Sequence, residues 1–209
     1  MGQDGTRERL ITAAENLFAA QGVGAVSLRE IVRASGARNA TALQYHFGDR
    51  AGLVRALLDR HAGDIEARRH ALLDAIENSA APDVRAVAAA LVLPLAAKLA
   101  DPSGRDYLRI LAELMNQAQP LIDIGPDDSF LRWRDLAEPM LDPQAVRFHQ
   151  RFLALRFTVV ELARRADTAP HTDDRLFISH LVDLVTALLT ARPSAETTRL
   201  ARERATRRG

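Results

Sequence analysis

The 209-residue chain has no cysteine, a single lysine and a single tryptophan. Without cysteine there can be no disulfide, no thiolate zinc site and no cysteine nucleophile. That usage suits a cytoplasmic protein, which is the location we expect. No apolar run approaches the ~18 residues a membrane span needs, and the opening MGQDGTRERL lacks the apolar core of a signal peptide. Phosphate-binding GxxxxGK[ST] and GxGxxG loops are missing, and so is a GxSxG nucleophile elbow. The histidines at 46, 61, 70, 149, 171 and 180 form neither an HxxxH nor an HExxH pair. The expectation is a protein with no metal, no cofactor, no membrane partner and no enzymatic activity. Net charge is only +1, so any contact with nucleic acid has to come from a local patch.

What the chain does have is a 3.6-residue apolar period almost from end to end, with no convincing alternation of the strand type. Leu10, Ile11, Ala14, Leu17 and Phe18 mark one face of a first helix, which stops at the Gly22 and Gly24 break. Ser27 and Glu30 form a capping-box pair ahead of a second helix whose inner face is Leu28, Ile31 and Val32. A third, short helix holds Leu43 and Phe47. The pattern predicts a long fourth helix over about 50–78, a fifth through Val84, Val87, Leu91, Leu95 and Leu99 with a kink at Pro94, and a sixth over about 105–117. Residues 118–142, rich in proline, read as irregular with a short helix around 128–136. Helices over about 143–166 and 173–191 follow, then an arginine-rich segment at 194–207. The fold class is therefore all-α.

The stretch 27–53, SLREIVRASGARNATALQYHFGDRAGL, is the most informative. A helix, a tight glycine-containing turn and a second helix make the layout of a helix-turn-helix. Leu43 and Phe47 anchor the second helix and leave Arg38, Asn39, Thr41, Gln44, Tyr45 and His46 on other faces. Gln and Asn pair bidentately with adenine, Arg pairs with guanine, and Thr meets a thymine methyl. Hydroxyl, imidazole and guanidinium groups suit phosphate oxygens. The plain alternative is that these are solvated residues between packed helices. Residues 1–60 carry 8 Arg against 6 Asp and Glu, a bias toward positive charge that supports DNA binding only weakly.

The surrounding pattern is more specific. Leu-Ile-x-Ala-Ala-x-x-Leu-Phe-Ala-x-x-Gly at residues 10–22, Ser-Leu-Arg-Glu-Ile-Val-x-x-Ser-Gly at 27–36, and Tyr45-His46-Phe47-Gly48 followed by Leu53 together resemble the opening of the TetR family of bacterial transcriptional repressors. The resemblance covers about residues 6–60. It implies an N-terminal three-helix bundle with a helix-turn-helix at 1–50 and a larger helical effector-binding and dimerisation domain at 51–209. It also implies base contacts from Thr41, Ala42 and Gln44, and phosphate contacts from Ser27, Tyr45, His46 and Arg50. From Gly36 to Phe47 the chain has one residue more than the family pattern, placed near 38–40, which bears on Arg38 and Asn39.

In the C-terminal part, Phe148, Phe152, Leu155, Val159 and Leu162 lie on one stripe, with Val146, Leu153, Phe157 and Val160 on another. In the next helix Phe177, Leu181, Leu184 and Leu188 line one face. Helices with doubled apolar faces suit contact with their own core on one side and a second copy on the other. The family resemblance implies a homodimer through about 143–191, which would set two reading helices on half-sites about one DNA turn, roughly 34–36 Å, apart or a little more. It further implies a small-molecule effector held between helices four to eight. Tyr107, Glu113, Asn116, Arg132, Trp133 and His149 supply the polar and aromatic groups such a pocket uses, although each also reads as an ordinary core or surface residue. Glu161 and Asp183 can pair with Arg164 or Arg165. The expected function is a sequence-specific regulator, a repressor released from a palindromic double-stranded operator by that effector. The alternative is a helical ligand-sensing or protein-interaction module without DNA binding.

Overall fold

The computed structural model describes residues 3–37, 41–118, 121, 128–147, 150–169 and 171–207, and all regular structure among them is helical. The first helix, α1 (Gln3–Gln21), begins well ahead of the apolar pattern. Leu10, Ile11, Ala14 and Phe18 are buried along one side, and Glu15 is buried with them. Gly22 ends it at φ +91°, donating its N–H to the Phe18 carbonyl at 2.8 Å. Only glycine takes that conformation without strain.

Helix α2 (Leu28–Ala34) starts on the predicted capping box. Ser27 N–H donates to Glu30 Oε2 at 2.7 Å, and Glu30 N–H donates to Ser27 Oγ at 3.2 Å. The backbone bond from Ser27 holds the Glu30 carboxyl below the usual range. After the turn comes α3 (Ala42–Phe47), and then α4 (Arg50–Glu77), capped by Asp49, whose Oδ1 accepts Gly52 N–H at 2.8 Å. The first turns of α4 bury Leu53, Val54 and Leu57, and in doing so complete the core under α1–α3.

The rest of α4 runs on into a second layer. It packs with α5 (Val84–Ala96), α6 (Pro102–Asn116) and α7 (Asp128–Ala137). Pro94 stays inside α5, and shortly after it the chain tightens into a 3₁₀ turn, Ala97–Ala100. The lone lysine, Lys98, sits in that turn, buried, with Nζ 2.8 Å from Asp64 on α4. Helix α6 opens three residues earlier than its apolar pattern, on an Asp101 cap with Pro at the first position. The fully buried Trp133 fills the centre of this layer, and its Nε1–H donates to the Val87 carbonyl at 2.8 Å.

Within the span expected to be helical over about 143–166, the described residues form α8 (Pro143–Arg147) and α9 (Gln150–Asp167). Phe148 and His149 lie outside the described residues. Helix α10 (Arg175–Thr190) packs on α5 and α9, and α11 (Ala195–Thr206) lies exposed at the end. The predicted face of α10 divides. Leu181, Val182, Val185 and Leu189 go inward, while Leu184 stays outside. Asp183 pairs with Arg85 at 3.0 Å and Arg165 with Asp174 at 2.6 Å, which replaces the pairing expected between them. No single helix among the described residues is long and apolar enough to cross a membrane.

Candidate nucleic-acid interface

Helix α3 is only six residues long, and its neighbours hold it in place. Leu43 is buried beneath it, and its C-terminal turn abuts the start of α4 so closely that a Cβ on Gly52 would lie 2.0 Å from the Phe47 carbonyl oxygen. Glycine is the residue that allows this approach. On the outer side Thr41, Gln44 and Tyr45 are exposed, and Tyr45 keeps 72% of its surface free. A tyrosine left that open is not serving the chain's own core. His46 meets the Tyr45 ring edge-on at 5.1 Å, and the guanidinium of Arg7 lies 5.6 Å from the centre of the Phe47 ring. Ala42 is half-buried at the base of the same row.

Beside α3 runs a groove of about 450 Å³, floored by Leu28, Val32 and Leu43 and edged by Arg29, Arg33 and Gln44. Arg29 and Arg33 are exposed and make no ion pair among the described residues. They are functional candidates that the sequence reading passed over. Their signal was present: with Leu28, Ile31 and Val32 inward, positions 29 and 33 fall on the opposite face of α2, one turn apart.

One expectation changes here. Arg50, expected at a phosphate, has its guanidinium turned inward. Its two terminal nitrogens donate to the carbonyls of Val23 (2.5 Å) and Val26 (2.6 Å), and it lies over the Phe18 ring at 5.9 Å. It closes the α1–α2 turn from inside, so its positive charge is committed to backbone. Ser27 uses its oxygen in the capping box, which leaves the hydroxyl proton to donate outward. Arg38 and Asn39 lie outside the described residues.

Among the described residues, polar contacts tie the α1–α3 unit to the body, two of them around buried or half-buried carboxylates. Glu15 on α1 is 1% exposed and receives His61 Nε2 at 2.6 Å and Arg60 Nη1 at 3.2 Å, both on α4, and Ser103 Oγ at 2.6 Å on α6. The His61 ring lies against Tyr107, with centres 4.5 Å apart. Burial pushes the Glu15 carboxyl up, but the His61 and Ser103 bonds and the charges of His61 and Arg60 outweigh it and leave it below the ordinary value. At the second point, Glu113 on α6 accepts the Val23 N–H with both oxygens, at 2.9 and 3.0 Å.

Among the described residues, the expected effector residues Tyr107, Glu113, Asn116, Arg132 and Trp133 do not all line one site. Trp133 is sealed in the core, stacked on Phe130 at 5.2 Å, and Tyr107 is buried against His61. Arg132 is held by Asp74, Glu77 and His70, and the two carboxylates raise its pKa. These three groups are engaged by the fold itself. Only Glu113 and Asn116 come together, on a crevice of about 360 Å³ between α1, α6 and α9. His149 is outside the described residues. Among the described residues no group of three histidine, aspartate or glutamate side chains is placed to hold a metal ion.

A three-helix unit with its third helix exposed, fastened to an all-helical body, is the arrangement the described residues form. Residues 10–57 match the family model of the bacterial regulatory proteins of the tetR family. The crystal structure of AmtR from Mycobacterium smegmatis is similar over 96% of this chain and 94% of that one, at 21% identity and a TM-score of 0.53. A TetR-family regulator from Streptomyces coelicolor is similar over 91% of this chain and 98% of that one, at 20% identity and a TM-score of 0.43. No curated protein sequence matches the chain.

Proposed function

We propose that the protein is a cytoplasmic, homodimeric repressor that binds a palindromic operator through α3 and is released from it by a small-molecule effector. The carrying observation is the outward row of α3. Thr41, Gln44 and Tyr45 stand clear of the core on a helix anchored by Leu43, beside two unpaired arginines on α2. In this reading Thr41, Ala42 and Gln44 meet base edges. Tyr45, His46 and Ser27, joined by Arg29 and Arg33, meet phosphates. Residues 1–50 form the DNA-binding unit and 51–209 the regulatory and dimerising body, with α4 running from one into the other.

Self-association is supported by what α9 and α10 leave uncovered. Phe152, Leu153, Leu176 and Leu184 are large apolar side chains between 40% and 85% exposed, and exposed apolar surface on these two helices supports a partner surface there. Two-fold pairing through these helices would present two copies of α3 to two half-sites. Effector and operator then favour different spacings of the pair, and each weakens the other by linkage.

The test is selection of genomic fragments by the purified protein, then footprinting and binding at two salt concentrations. One palindromic sequence is expected, with affinity falling steeply as salt rises. Gln44→Ala should cost about 1–3 kcal/mol and relax preference at one base pair. Tyr45→Ala should weaken all sequences alike. Uniform binding indifferent to both substitutions would leave a helical sensor or interaction module without DNA recognition.

A further inference from the structure

The crevice between α1, α6 and α9 has a feature that the reading helix does not explain. It is an open crevice of about 360 Å³, lined in part by small residues, Ala19 on α1, Ala112 on α6 and Ala163 on α9, a volume near the lower end for small-molecule pockets. One wall is Glu113, the same carboxylate that holds the Val23 N–H with both oxygens. The same crevice is lined by Arg164 on α9, an exposed residue with no acidic partner among the described residues. The other two charges are paired to each other: Arg109 Nε lies 2.7 Å from Asp167 Oδ1. The crevice thus offers one carboxylate engaged only by a neutral backbone N–H and one guanidinium not engaged at all.

From this we infer that the crevice is a regulatory site for a small zwitterion of amino-acid character, its ammonium group at Glu113 and its carboxylate at Arg164. An ammonium competes well for Glu113 because a charge-assisted hydrogen bond is about twice as strong as one from a neutral amide. As the ammonium takes the carboxylate, Val23 N–H loses its acceptor and the α1–α2 turn loses its tie to the body. Arg50 still holds the carbonyl side of that turn, so the unit stays folded while its attachment to α6 loosens. The site therefore acts on how the reading unit is held, not on whether it folds. This inference rests on the DNA-binding reading above.

The absence of native cysteine allows a direct test. Ala112→Cys places a single thiol in the crevice of the full-length protein. It is modified in one sample with 2-aminoethyl methanethiosulfonate and in another with 2-sulfonatoethyl methanethiosulfonate. Each reagent forms a mixed disulfide and releases methanesulfinate, and mass spectrometry reports completeness. The aminoethyl adduct is expected to lower affinity for the selected operator about tenfold, within the usual range of allosteric coupling, and the sulfonatoethyl adduct to leave it within about twofold. Adding Glu113→Gln should abolish the difference between the two reagents. Ala163→Cys, contributed by α9, repeats the test should Ala112→Cys fail to fold. Complete modification that leaves operator binding unchanged would overturn the site. Equal weakening by both reagents would overturn the ligand chemistry, since a wedge of either charge would then suffice. A wild-type protein that selects no operator refutes the DNA-binding reading, whereas one that binds while its modified variants bind equally well refutes this site alone.

Discussion

Glu15 is the residue whose loss should tell most about how the reading unit is held. Its carboxylate lies almost wholly out of water at the meeting of α1, α4 and α6, with His61, Ser103 and Arg60 all directed at it. Glu15→Gln keeps the volume and one acceptor oxygen, so packing is preserved and the charge is what changes. Removing one partner of a buried ion pair costs about 3–5 kcal/mol, because the other charge stays buried without compensation. Here the lower figure applies. The Arg60 side chain is 23% exposed and also reaches the Glu8 carboxylate at 3.0 Å, so it can re-pair. A loss of about 3 kcal/mol in a chain of this size lowers the melting temperature by roughly 6–12 °C.

The pH dependence separates charge from packing. The folded carboxyl titrates below the ordinary value for a glutamate, so its stabilisation is complete above that ordinary value and falls away as pH drops through the folded one. The gap between wild type and Glu15→Gln should therefore be widest near neutrality and close in acid. Urea denaturation at fixed protein concentration, from pH 7 down to pH 3, measures it, the fixed concentration being needed because association adds to apparent stability. A gap that stays constant across this range, or one under about 1 kcal/mol at pH 7, would refute the view that a buried charge ties α1 to the body.

Two further predictions concern glycines with opposite surroundings. Gly52→Ala drives a Cβ to within 2.0 Å of the Phe47 carbonyl oxygen, which is backbone and cannot swing aside. We expect a loss of about 1–3 kcal/mol from the overpacking, with weaker operator binding out of proportion to it because α3 must move. Binding that is unchanged after correction for the unfolded fraction would contradict that. Gly63→Ala meets nothing within 4 Å on the open side of α4. The gain should be about 1 kcal/mol of helix stability, seen as a thermal shift of roughly 2–4 °C with operator affinity kept. A lowered melting temperature would show that α4 depends on bending at that point.

Where side chains only had to face in or out, the one-dimensional pattern was enough. The apolar rows placed Leu10, Ile31, Leu43 and Leu57 in the core, and the Ser27–Glu30 pair marked the start of α2, because both signals act within a turn or two of helix. Outward residues were less legible, for a physical reason. A polar group is defined by its partner, and here the partners are far apart in the chain: Glu15 meets His61 46 positions on, and Glu113 meets Val23 across 90. No helical period carries that information. Arg50 makes the point sharply, since a cation at the head of a helix reads the same whether it ends on a phosphate or on two carbonyls. Trp133 and Arg132 resembled pocket residues for the same reason, and one is satisfied by Val87 while the other is held by Asp74 and Glu77. Arg29 and Arg33 reverse the case. They were passed over because α2 was read for its buried face alone, although a helix that packs on one side must show its other side to something. In a helix-turn-helix the exposed side of the first helix crosses the DNA backbone, so its unpaired cations were as legible as its leucines.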